Sequence, residues 1–238
     1  MSEPTHSPTA VESSGPSPVA VAAAVVGLWT VSEVAFRWGL ASVLAGPFGT
    51  ATGAEALAVL FADGVAVAGA AWLARRGGLG PAEWGYDRSP RAVGAGLLGV
   101  VAYVVAFGGA SVVLVEVFGA SPTGTGRLGG ATTPAWALAL LLVVNGVVVP
   151  LAEELAWRGV VQGALTRASG ARLAVAATAV AFVGKHLLVD GAVLPFRLVS
   201  LTALAVVLGV VRARAGTTAS TVTHLVVNGA ATAALVLS

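Results

Sequence analysis

Apolar stretches of about 20 residues recur along nearly the whole chain, and each is long enough to cross a bilayer core of roughly 30 Å as a helix. They fall at about seven places, 19–44, 53–74, 92–118, 134–166, 172–189, 197–211 and 217–237. Gly, Pro and charged residues mark the joints: RRGGLGPAEWGYDRSPR after the second run, ASPTGTGRLGG before the fourth and RASGAR after it. The expected fold class is therefore all-α, a polytopic transmembrane helix bundle of about seven spans, with six and eight as the neighbouring counts.

Composition excludes the other broad classes. Only 10% of the residues are charged and 57% are hydrophobic, with a mean hydropathy of +0.90. A water-exposed globule lacks the polar surface it needs at that composition, and a disordered chain needs the opposite balance. The net charge of +2 is carried by basic residues scattered singly or in pairs, so no nucleic-acid partner is expected. No cysteine is present, which removes disulfides, thiolate metal sites and a cysteine nucleophile together. Residues 1–18, rich in Ser, Pro and Thr, read as a disordered tail in which His6 has no specific task. Residues 19–238 read as a single transmembrane domain. No basic segment precedes the first apolar run, so no cleavable signal peptide is expected.

Short cytoplasmic joints collect Lys and Arg. Arg75, Arg76, Arg88 and Arg91 follow the second run, Arg167 and Arg172 the fourth, and Arg212 and Arg214 the sixth. These three joints share one side, which places the N-terminus inside. Only Arg127 and, at a boundary, Arg197 belong to the opposite joints.

Charges within membrane spans are costly and are functional candidates by default. Glu33 and Arg37, four apart, can pair on one helix face. Glu55 is near a span end, and Asp63 and Glu116 have no evident role. The densest cluster is LAEELAWRGVVQG at 151–163. On an α-helix Glu154, Arg158 and Gln162 form one polar stripe at i, i+4, i+8, while Glu153 points about 100° away without a partner on its own helix, a setting suited to a general base. Pro150 is expected to kink the helix just before the acidic pair.

The next run carries FVGKH, ending at His186. Glu153 precedes Gly170 by 17 residues and His186 follows it by 16, so a hairpin turning at Gly170 brings both to one depth, roughly 25 Å from the turn. The last run places Thr217, Thr221, His224 and Asn228 on one face in an otherwise Ala, Val and Leu helix.

In chain order, Glu-Glu-x-x-x-Arg (Glu153, Glu154, Arg158), Phe-x-x-x-His (Phe182, His186) and His-x-x-x-Asn (His224, Asn228) resemble the three motifs of the CAAX protease and bacteriocin-processing family of intramembrane endopeptidases. The resemblance covers about residues 150–230. It implies that Glu153 with His186 activates a water for attack on a peptide carbonyl, that His224 and Asn228 stabilise the oxyanion, and that Glu154 and Arg158 hold the motif helix. It is compatible with a zinc ion on Glu153, His186 and His224 and equally with a metal-free reaction. Lys185 lies outside the motif. The implied partners are membrane lipid and a membrane-associated peptide or protein. The expected location is a prokaryotic plasma membrane, the composition being rich in Ala, Gly, Val and Arg, with the cavity open to the cytoplasm.

Two other classes compete with this reading: an ion- or proton-coupled transporter using the same buried Glu, His and Asn, and a non-catalytic peptide-toxin immunity protein of the same fold. The paired broken helices in two related halves that mark many transporters are not evident.

Overall fold

The computed structural model describes residues 15–120, 133–190 and 194–237. Residues 1–14 with His6, and Arg127, lie outside the described residues. Six helices are long and apolar enough to cross a membrane: α1 (Pro18–Phe48), α2 (Ala51–Arg76), α3 (Pro90–Phe118), α4 (Ala135–Ser169), α5 (Ala171–Asp190) and the long Pro195–Leu237. The last is broken at Gly216, whose φ of 83° and ψ of 173° are non-helical. It is described below as α6 (residues 195–215) and α7 (residues 217–237), each about 30 Å long. The seventh expected span is thus the second arm of this broken helix. No strand occurs among the described residues.

The ends follow local chemistry. Ser17 caps α1 by accepting from the amide of Ala20 at 3.2 Å. Pro18 opens the helix one residue inside the expected tail. Ser89 and Pro90 repeat the device at α3. Asp87 accepts from both the amide and the hydroxyl of Ser89, which holds its exposed carboxyl below the usual range. Gly170, at φ 81°, makes the α4–α5 turn at the expected position, a conformation that glycine adopts without steric cost.

Three segments depart from α geometry. Residues 35–40 in α1, and 144–148 and 154–161 in α4, widen to i→i+5 bonding. Pro150, which has no amide hydrogen to donate, lies between the two wide segments of α4. Where a kink is expected just before the acidic pair, the helix carries widened turns on either side of Pro150.

Packing rests on small residues. Ala54, Ala58, Ala62, Ala66, Ala70 and Ala74 form an i+4 ladder along α2, and all are buried. Such a ladder lets neighbouring backbones approach closely. Trp29 of α1 meets Trp157 of α4 edge-on at 6.3 Å, and Trp157 meets Phe182 of α5 at 5.3 Å, both in the edge-to-face arrangement that aromatic pairs favour. α4 is central, with every residue from Ala156 to Ala164 buried. α3 lies outermost, with Val101, Val104, Val105 and Val112 exposed as a lipid-facing surface requires. It packs on α7 through Gly96 and Gly99, and the Thr223 hydroxyl donates to the Gly96 carbonyl at 2.8 Å.

Candidate active site

Glu153 and Glu154 stand where α4 passes from α to wide-turn geometry, and they face different helices. Glu154, fully buried, turns to α7, where Nδ1 of His224 lies 2.9 Å from its Oε1. Arg158 sits 3.2 Å from the same oxygen, near enough for an ion pair but not aligned for a hydrogen bond. Its guanidinium lies over the Phe182 ring at 4.5 Å, a cation–π contact. Gln162, the third member of the stripe, donates to the Gly209 carbonyl of α6 at 2.9 Å.

Glu153 turns to α5. Nε2 of His186 lies 3.8 Å from its Oε1, and Nε2 of His224 lies 3.8 Å from its Oε2. The hairpin register expected from Gly170 therefore brings Glu153 and His186 together. Nδ1 of His186 is 2.9 Å from the Phe182 carbonyl, which makes Nδ1 the protonated nitrogen and turns the lone pair of a neutral ring, at Nε2, toward Glu153. Glu153, His186, His224 and Asn228 all line a cavity of about 960 Å³, whereas Glu154 and Arg158 lie behind its wall. Asn228, one turn beyond His224, donates from Nδ2 to the Asn145 carbonyl at 3.4 Å and keeps its second N–H. Thr217 and Thr221 do not join this face, since their hydroxyls bond to the carbonyls of Trp84 and Thr217.

Glu153 has no partner on its own helix, as expected, but the ammonium of Lys185 on α5 lies 2.9 Å from its Oε1. The structure bears on two further expectations. Glu33 and Arg37 do not pair with each other. A wide turn at 35–40 starts between them, and each has oppositely charged partners on other helices. Glu33 instead binds Lys185 at 3.0 Å, and Arg37 binds Glu55 at 2.8 Å and Asp190 at 3.2 Å. Also, the cavity is lined by Arg37, Glu55, Asn145, Asp190 and Arg197, toward the 48/51, 118/135 and 190/195 ends of the helices. The arginine-bearing joints lie at the opposite ends of those helices. A cytoplasmic mouth and an arginine-derived cytoplasmic N-terminus therefore exclude one another.

Glu33 and Lys185 are the site residues that sequence reasoning left out of the constellation. A buried lysine in an apolar span needs a carboxylate partner, and that requirement was the available signal. Asp63 is buried and, among the described residues, neither of its carboxylate oxygens has a hydrogen-bond partner. Glu116 is exposed near the end of α3.

The helices define an integral membrane protein, and the cavity wall holds a buried carboxylate between two imidazoles. Residues 134–230 match the family model described as Type II CAAX prenyl endopeptidase Rce1-like. That is a protease family, and the matched segment contains all three motifs, from α4 to α7. No curated protein and no solved structure matches the chain.

The zinc alternative meets a specific obstacle. Nε2 of His186 and Nε2 of His224 each lie 3.8 Å from the Glu153 carboxylate, and the two Nδ1 atoms are oriented by a carbonyl and a carboxylate. However, Lys185 Nζ lies 2.9 Å from Glu153 and 3.2 Å from Nε2 of His186. The donor set is already engaged by a cation and does not fit a divalent metal as it stands. Among the described residues no group of three His, Cys, Asp or Glu could hold a metal ion.

Proposed function

We propose that the chain is an intramembrane endopeptidase that hydrolyses a peptide bond of a membrane-associated peptide or protein. The observation that carries the reading is the approach of Nε2 of both His186 and His224 to within 3.8 Å of the Glu153 carboxylate on the wall of the cavity. Atoms 3.8 Å apart are too far for a direct hydrogen bond but fit a water bonded to both. Glu153 takes a proton from that water as its oxygen attacks the carbonyl carbon and returns it to the leaving amine, while Nε2 of His224 accepts from the water and His186, bonded at Nε2 by Lys185, borders it on the other side. His224 and Asn228 line the side on which the carbonyl oxygen becomes an oxyanion, and the free N–H of Asn228 is available to it. Glu154 and Arg158, behind the wall, fix His224 and the motif helix.

The substrate enters from a mouth near the α5–α6 ends. His186 is four residues from the end of α5. At the rise of an α-helix that rim is roughly 6 Å above it. The neighbouring α3 runs much further, since Tyr103 pairs with Ser200 of α6 at 2.9 Å and α3 continues to Phe118. The low rim gives an extended peptide a way in without crossing the bundle.

The test is cleavage of quenched peptides, with and without a lipid tail, by detergent-purified protein. Glu153→Gln and His186→Ala are each expected to lower the rate by about 10²–10⁴-fold. Activity that persists in both variants defeats the assignment. No cleavage together with ion-coupled uptake into liposomes supports the transporter instead.

A further inference from the structure

Lys185 is at the centre of the site, yet neither the motif nor the proposed proton transfers use it. Its side chain is 1% exposed. An ammonium has three N–H donors and no lone pair, and all three find acceptors here. One goes to Glu153 of α4 at 2.9 Å, one to Oε1 of Glu33 of α1 at 3.2 Å, and one toward Nε2 of His186 at 3.2 Å. The last acceptor is free because His186 spends its Nδ1 hydrogen on the Phe182 carbonyl.

Those acceptors include the lone pairs on which a zinc shared by Glu153 and His186 depends. Such an ion sits about 2.0–2.2 Å from each ligand atom, inside the space that the ammonium fills, and meets a like charge there. Without Lys185, Glu153 and Glu33 would face each other as two buried carboxylates, with Asp63 of α2 a further buried acid that has no hydrogen-bond partner among the described residues.

We propose that Lys185 is the fixed cation of this site: held by Glu33, it positions the Glu153 carboxylate and keeps divalent metal out from between Glu153 and His186. Lys185 and Glu33 are thus positioning residues, and α1 becomes part of the reactive centre. The catalytic consequence rests on the peptidase reading, whereas the exclusion of metal does not.

The experiment counts zinc. Purified full-length protein is incubated with zinc, desalted and analysed for metal per chain, with folding checked by size exclusion and thermal unfolding. Wild type and Lys185→Arg are expected to retain far less than one zinc per chain. The charge-balanced double variant Lys185→Met/Glu33→Gln is expected to approach one zinc per chain and to lose it again when His186→Ala is added. One zinc per chain in wild type, removed by Glu153→Gln, overturns the proposal, and this arm requires no variant of Lys185 to fold. A folded double variant as zinc-free as wild type overturns it equally. Where peptides are cleaved, wild-type activity is expected to survive a chelator. Absence of cleavage counts against the peptidase reading alone, because the zinc count still decides the role of Lys185.

Discussion

Glu154 is buried behind the cavity wall, and its expected role is to hold other side chains rather than to touch substrate. Among the described residues it is the only acid within ion-pair distance of Arg158, which is also fully buried, and it faces Nδ1 of His224. Removing one member of a buried pair leaves an uncompensated charge and costs about 3–5 kcal/mol, whereas replacing both by apolar residues is often close to neutral. Glu154→Leu is therefore expected to lower the thermal unfolding midpoint in detergent sharply, and Glu154→Leu/Arg158→Met to recover most of the loss while staying inactive, because His224 is then unanchored. Equal destabilisation by the single and double substitutions contradicts this account. The pair was legible in the sequence because i,i+4 spacing is local and survives the wide turn. The Glu33–Lys185 pair was not, because it joins residues 152 positions apart on two helices, and spacing along the chain carries no information about which helices become neighbours.

At the scale of elements, the site depends on where α7 begins. Gly216 combines φ 83° with ψ 173°. That region of backbone space costs about 1–3 kcal/mol and is essentially confined to glycine. A Cβ there would also come within 2.6 Å of the Gly85 carbonyl oxygen. The same carbonyl accepts from the Thr217 amide at 2.7 Å, so the α2–α3 joint fixes the first turn of α7, two turns before His224. Gly216→Ala is expected to destabilise the protein by at least ~2 kcal/mol, read as a fall in unfolding midpoint, and to reduce cleavage beyond the loss of folded protein because His224 shifts. Unchanged activity per folded molecule refutes the coupling. The break itself was legible, since RARAG interrupts two apolar runs, and so was the Gly170 hairpin. The wide turns were not, because neither 35–40 nor 154–161 carries a residue that marks i→i+5 bonding.

For the whole molecule, the cavity and the arginines give a direction. Eight of the 13 basic residues lie at the joints near 75–91, 167–172 and 212–214. The positive-inside rule puts those joints in the cytoplasm. The cavity lies toward the other ends, where Arg37 and Arg197 are balanced by Glu55 and Asp190 together and so add little to the charge asymmetry. If the N-terminus is inside, as this rule predicts, the mouth is expected to open away from the cytoplasm and to receive the proposed peptide substrate from that face or from the outer half of the bilayer. The absence of cysteine from the chain makes a direct measurement possible, because any introduced thiol is the only one. Glu116→Cys, exposed on the cavity end of α3, is expected to react with a membrane-impermeant maleimide in intact cells. Ala168→Cys, exposed beside the α4–α5 turn, is expected to react only after lysis. The reverse pattern reverses the orientation, returns the mouth to the cytoplasm, and leaves the chemistry proposed for Glu153 and His186 unchanged.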